Sequence, residues 1–209
     1  MKFGWKIMLG RRRSKYLRAI GGVMLASWWM NSIADGATAP RRTGFSLTST
    51  TFEDGGIMPK KTARAPLYGD NVSPQLSWAN PPSGVRSYAL TFVNEEGGPS
   101  GQIDIYTVLY GIPANVTSFA EGEISKPSPT GKFIVGKGNR ANRPRGEEGT
   151  YSGPGSPLGA SPHHYIFKLI ATDLDPKALP PSLNLSELEY EIKGHVLDSV
   201  ALIGKFGRP

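Results

Sequence analysis

The chain has no cysteine, which excludes disulfides, thiolate metal sites, a cysteine nucleophile and lipid attachment through sulfur. Histidine is nearly as scarce, with His163, His164 and His195 the three in 209 residues. A metal site built from them is not expected, because two are adjacent at a strand entry, where neighbouring side chains point to opposite faces. Long apolar runs are missing from the N-terminal region as well. Ala19–Met30 is twelve residues without a charge, against the roughly 18–20 that a spanning helix needs. Acid is absent from residues 1–34, which carry seven basic side chains. Of the 24 basic residues, 17 therefore remain for the rest of the chain, where they meet 17 acids. The net charge of +7 belongs to the leader, and nucleic acid is not an expected partner of the main domain.

What is present is an export-type leader. A basic stretch, a short apolar stretch and small residues (Ser32-Ile33-Ala34) follow in that order, as in a secretory signal. The sequence predicts cleavage after Ala34, a flexible tether over 35–43, a domain over 44–209, and a periplasmic or secreted mature protein with no transmembrane span. Glycine (26) and proline (18) are abundant, as suits short strands joined by turns.

Strands are predicted over Gly44–Phe52, Ser87–Asn94, Ile103–Tyr110, Tyr165–Thr172 and Val200–Phe206, all rich in β-branched and aromatic residues. Ser87–Asn94 and Tyr165–Thr172 are apolar on both faces, which places them centrally in a covered sheet. A helix is expected from Ser186, where Ser186 and Glu189 have capping-box spacing, with Leu188, Ile192 and Val196 at helical intervals. The fold class is mostly β: a central, largely antiparallel sheet, a smaller second sheet and one or two C-terminal helices. Three stretches read as long loops: Asp54–Ser77, Ala120–Tyr151 and Ser152–Pro162.

Enzymatic motifs fail on inspection. Gly131-Lys-Phe-Ile-Val-Gly136-Lys137-Gly138 resembles a phosphate loop but has Gly138 where the hydroxyl for Mg²⁺ belongs. Gly155-Ser156-Pro157-Leu158-Gly159 places its serine one position away from that of a nucleophile elbow. No catalytic residues, metal or cofactors are expected.

Several ordered segments are similar to the phosphatidylethanolamine-binding protein family, in its bacterial Raf-kinase-inhibitor-like branch. Asn71-Val-Ser-Pro74-Gln-Leu-Ser-Trp78-Ala-Asn-Pro81 resembles that branch's N-x-SP-x-L-x-W-x-x-P signature. Val108-Leu-Tyr-Gly-Ile-Pro113, Gly138-Asn139, Tyr151-Ser-Gly153-Pro154-Gly-Ser-Pro157 and His163-His-Tyr165-Ile-Phe167 look like its later motifs, in order. Departures fall where the family binds ligands. Asn94 and Glu96 stand where the branch has two aspartates, Tyr106-Thr107 replace its His-Trp pair, and Gly155 replaces the cysteine of its Gly-Pro turn.

The resemblance implies a ligand site made by Asn94, Glu96, Tyr106, Gly153, Pro154, His163 and Tyr165. It also implies a non-catalytic protein that binds a small anionic or zwitterionic ligand of the phospholipid-headgroup kind. The alternative is an inhibitor or interaction protein, for example of a protease, acting on a protein partner through its long loops. In the headgroup reading the ligand's ammonium is expected on Glu96, and its phosphate on His163 and the amides of the Gly153–Gly155 turn. Trp78 is expected to be buried beneath the loops.

Overall fold

The computed structural model describes residues 44–65, 69–97, 102–128, 131–139, 149–156 and 158–208. The predicted leader and tether lie outside the described residues. Among the described residues no helix is long and apolar enough to cross a membrane.

Among the described residues nine strands form two sheets. β1 (Ser46–Thr48), β3 (Leu76–Ala79) and β6 (Ser118–Phe119) make a small antiparallel sheet in the order β1-β3-β6. The large sheet adds β2 (Gly56–Ile57), β4 (Ser87–Asn94), β5 (Asp104–Pro113), β7 (Ile134–Val135), β8 (His163–Thr172) and β9 (Val196–Phe206), in the order β2-β9-β8-β4-β5-β7. All pairings are antiparallel except β2 with β9. The mostly β, two-sheet architecture with a late helix is the one expected. β4 and β8 lie at its centre as expected, and β4 has no polar face to offer water, every residue being buried. β8 is covered on both faces only from Leu169 onward, since His164 and Lys168 are exposed.

The two faces of the large sheet have separate cores. One contains Tyr88, Leu90, Phe92, Leu109, Tyr165, Phe167 and Leu169, packed against Leu47, Leu76, Trp78 and Phe119 of the small sheet. Trp78 is buried as expected, but between the two sheets rather than beneath the site loops, edge-on to Tyr88 and Phe119 at 5.6 and 5.4 Å. The other core contains Ala89, Val108, Tyr110 and Ile170, covered by Leu183, Leu188 and Ile192 around α1 (Leu185–Glu191).

Several boundaries differ from the sequence reading. The cap of α1 is Asn184, two residues before Ser186. Its Oδ1 accepts from Glu187 N at 3.0 Å, and Glu187 Oε2 accepts from Asn184 N at 2.8 Å. Asn184-x-x-Glu187 and Ser186-x-x-Glu189 have the same spacing, and the earlier start wins while still burying Leu188 and Ile192. Val196 is not on the helix. Gly194, at φ +83, ends the segment, and β9 begins at Val196 rather than Val200. The expected first strand over Gly44–Phe52 shrinks to three residues, because Ser49 and Thr51 turn their hydroxyls to the Gln75 backbone. The stretch Asp54–Ser77 is not all loop: it holds β2, a 3₁₀ turn at Lys60–Thr62 and the start of β3. Ala120–Tyr151 holds a 3₁₀ turn at Glu123–Ser125 and β7. The phosphate-loop-like segment is therefore partly strand, pairing with β5 at Leu109 and Tyr110.

Candidate functional site

One end of the large sheet gathers most of the candidate residues. β4 ends at Asn94, β5 begins at Asp104 and β8 begins at His163, with Asn94 opposite Asp104 and Val93 opposite both Ile105 and Ile166. Alternation along β8 puts His163 and Tyr165 on the same face as Phe167. The same rule would send Tyr106 to the opposite face from Thr107. A β-bulge prevents this: Phe92 pairs with Thr107 but Val93 with Ile105, so Tyr106 is the extra residue. The bulge turns its ring toward Phe92 and Tyr165, with centroids 5.5 and 5.6 Å away. Beneath them Phe92 stacks on Phe167 at 3.9 Å and 11°. Such aromatic pairs contribute about 0.5–1.5 kcal/mol beyond their buried area.

The segment Tyr151–Ser156 lies over this aromatic floor, and the Asn71 signature holds it there. Asn71 has φ +55 and spends its whole amide on the turn. Oδ1 accepts from Gly153 N at 2.7 Å, and Nδ2 donates to Tyr151 O at 3.2 Å. Tyr151 is fully buried and donates its hydroxyl to Thr62 O at 2.8 Å, while Arg64 N donates to Pro154 O at 3.0 Å. A Cβ on Gly153 would lie 2.0 Å from Thr62 O, so only glycine fits this approach. On the β5 side Asn139 plays a similar part. Its Oδ1 accepts from Ile105 N and its Nδ2 donates to Ile103 O, both at 2.7 Å, which fixes the backbone on either side of Asp104.

The polar groups form two sets, one around Tyr165 and one around Asn94. Tyr165 is fully buried, and its hydroxyl is 3.0 Å from Ser156 Oγ, which donates to Phe206 O at 2.7 Å. Burial pushes the Tyr165 phenol up from its ordinary range, against hydrogen bonds from Ser156, the Gly155 backbone and Tyr106, and the charge of Asp104 adds to the rise. Tyr106 donates to Asp104 Oδ2 at 3.4 Å. Asn94 is buried, with Oδ1 accepting from Glu96 N and Nδ2 facing His163 Nδ1, each at 3.1 Å. The His163 side chain is 22% exposed.

Glu96 does not point freely into the site as expected. Its Oε1 is 2.7 Å from His164 Nδ1, its Oε2 accepts from His164 N at 3.2 Å, and Oε2 lies 3.7 Å from His163 Nδ1. The His164 ring holds its carboxyl below the ordinary range against the opposing effect of burial, with the His164 amide and the two imidazoles assisting. Two adjacent histidines thus approach one carboxylate from a strand entry, because the turn after β4 brings Glu96 between them. Gly153 is likewise less available than expected, since its amide is spent on Asn71. His195 is apart from these, in the turn before β9 rather than on a helix, with Nδ1 2.8 Å from Asp173 Oδ1. Among the described residues no three His, Asp or Glu side chains are grouped to hold a metal ion.

Arg64 and Asp104 escaped the sequence reading. The Arg64 guanidinium covers Gly155: a Cβ there would be 3.4 Å from its terminal nitrogen. Nothing in the local pattern marks it, since Arg64 reaches the turn only through the tertiary fold. Asp104 sits two residues before Tyr106 and opposite Asn94, a relation that strand register alone reveals.

The model of the phosphatidylethanolamine-binding protein family matches residues 48–207. A UPF0098 protein of Methanothermobacter thermautotrophicus is 31% identical over 167 residues, 78% of this chain and 99% of the relative. One of Aquifex aeolicus is 27% identical over 161 residues, 77% of this chain and 86% of the relative. Among solved structures, Escherichia coli YbcL, described as a new member of the mammalian PEBP family, superposes with a TM-score of 0.69 at 21% identity. That match covers 79% of this chain and 99% of YbcL. The Chlamydia trachomatis homologue CT736 gives 0.66 at 22%, with the same coverage. The ordered motifs, the two-sheet fold and the extent of these matches agree: the chain belongs to the phosphatidylethanolamine-binding protein family.

Proposed function

We propose that this protein is an exported binding protein that holds a small zwitterionic or anionic, headgroup-like ligand and performs no chemistry on it. The ligand lies where Asn94, Tyr106, His163 and Tyr165 meet the Gly153–Ser156 turn. The observation that carries this reading is which polar groups are already spent. Among the described residues the Arg64 guanidinium and His163 Nε2 have no protein partner, whereas the Ser156 and Tyr165 hydroxyls and the Gly153 amide are engaged. Arg64 is half-buried, and its guanidinium over the turn offers a positive charge with no counter-charge among the described residues. Arg64 and His163 therefore receive the ligand's anionic end, and Glu96, with its side chain 43% exposed, is the acid at the rim for an ammonium. A non-catalytic role is supported by Ser156, whose buried hydroxyl is shared between Tyr165 and a backbone carbonyl, with no base bonded to it among the described residues. Export rests on the leader, and recovery of the full-length chain in the cytoplasmic fraction would remove that part.

Calorimetric titration with phosphoethanolamine and with inorganic phosphate tests the site. Loss of one charge-assisted hydrogen bond corresponds to roughly a tenfold weakening or more, expected for Arg64→Ala and for His163→Ala with phosphoethanolamine. Phosphate binding as tight as phosphoethanolamine would remove the ammonium site at Glu96, and no effect of either substitution would overturn the proposal. The second reading, an interaction protein, is favoured by a different place. Ile57 and Leu158, 65% and 71% exposed, flank a groove of about 460 Å³ with Lys60 and Arg208. A protein that binds neither probe would be read through that groove.

A further inference from the structure

All three histidines meet their partners through the same ring atom, Nδ1, but the partners are not alike. His195 Nδ1 lies 2.8 Å from Asp173 Oδ1, and His164 Nδ1 lies 2.7 Å from Glu96 Oε1. A carboxylate only accepts, so both of these rings carry a proton on Nδ1. His163 Nδ1 instead meets the side-chain amide of Asn94 at 3.1 Å.

Which end of an amide faces a neighbour has to be settled by its other contacts. Here the backbone settles it. The Glu96 N–H can only donate, and it lies 3.1 Å from the far end of the Asn94 amide, which must be Oδ1. Nδ2 then faces the ring as a donor, so His163 Nδ1 must accept and the neutral ring must carry its proton on Nε2. The nearby acid does not reverse this. Glu96 Oε2 is 3.7 Å from His163 Nδ1, beyond hydrogen-bond range, and the carboxylate already accepts from the His164 ring and amide.

We propose that Asn94 is a specificity-determining residue, fixing His163 as the Nε2–H tautomer, opposite to His164 beside it and to His195. In that tautomer the neutral His163 ring meets a ligand as a hydrogen-bond donor through Nε2. Such a donor takes an oxygen acceptor of a phosphate ester or a carboxylate and offers nothing to an ammonium. Without a charge of its own, it does not favour a dianion over a monoanion as an imidazolium would. The consequence for ligand choice rests on the binding proposed above; the tautomer does not.

The test is a long-range ¹H–¹⁵N imidazole spectrum of the ¹⁵N-labelled protein, recorded well above the ordinary histidine pKa of about 6.5 so that the rings are neutral. Two rings with protonated Nδ1 and one with protonated Nε2 are expected, the odd ring disappearing in His163→Gln. Asn94→Asp supplies an acceptor in place of the donor and is expected to move the His163 proton to Nδ1, leaving His164 and His195 unchanged. Three rings of one tautomer, an averaged His163, or an unaltered His163 in folded Asn94→Asp would overturn the assignment. Asn94 is buried, so if its variant does not fold, the wild-type spectrum decides alone. Phosphoethanolamine added to the same sample keeps the two claims apart. A shift of His163 that leaves His195 unmoved supports both, while no shift of His163 removes the binding reading and leaves the tautomer standing.

Discussion

Tyr110 and Tyr165 are both fully buried on the large sheet, and they belong to its two different cores. On the helix-covered face the Tyr110 hydroxyl donates to Pro180 O at 2.7 Å and accepts from Leu183 N at 3.1 Å. Both partners are backbone of the segment that leads into α1, so this tyrosine anchors a connection and its polarity ends there. On the other face the Tyr165 hydroxyl meets Ser156 and the Gly155 backbone, part of a turn over which Arg64 lies with no ion pair among the described residues. Burial raises both phenols, so neither ionises near neutrality. The difference is in what the hydroxyl is joined to. One network closes on the backbone that leads into α1, while the other runs through Ser156 and Tyr106 on the face to which the ligand is assigned above.

The largest expected effect breaks the site face at its tightest point. In Gly153→Ala the new methyl meets Thr62 O, a backbone atom that cannot step aside. A loss of about 3 kcal/mol is expected, read as a fall of roughly 8 °C in the melting midpoint. A fall below about 2 °C would show that the turn is not held as described.

A paired substitution sharpens the comparison at a smaller scale. Tyr110→Phe leaves the Pro180 carbonyl and Leu183 amide without their side-chain partner, at a cost of about 1–3 kcal/mol, with phosphoethanolamine binding unchanged. Tyr165→Phe is expected to cost about 0.5–1.5 kcal/mol, because Ser156 keeps its bond to Phe206 O, and to weaken binding. Denaturant unfolding and calorimetry on the two variants check both halves. The reverse pattern would erase the distinction between the faces.

The smallest effect lies at the exposed rim and depends on pH. The Glu96 carboxyl titrates below its ordinary value of 4.5 because the His164 ring holds the anion. A group depressed in the folded state stabilises fully above its unfolded value and loses that contribution as pH falls through the folded one. The melting midpoint of wild type should therefore exceed that of Glu96→Gln slightly at neutral pH, and the gap should close in acid below about 4.5. A gap that does not vary with pH would show that the carboxylate charge is not what holds the turn after β4 to β8.

Sequence by itself determined the features that depend on composition and short-range pattern. Ser87–Asn94 is read with its observed bounds because a strand apolar on both faces has only the middle of a covered sheet to occupy. The mostly β class follows from short β-branched runs between glycine and proline clusters, and the motif order from Asn71 to Phe167 carries the family. The tertiary structure alone decided the rest. Two equally spaced capping boxes competed, and packing around Leu188 and Ile192 is compatible with either, so the choice of Asn184 appears only in the folded chain. Tyr106 is on the site face through a one-residue bulge, an irregularity that alternation cannot foresee. Glu96 and the two histidines are 67 and 68 residues apart in the chain, and Arg64 and Gly155 are 91 apart. Their contacts, and with them the charge and tautomer of the site, exist only because strand register brings distant segments to one end of one sheet.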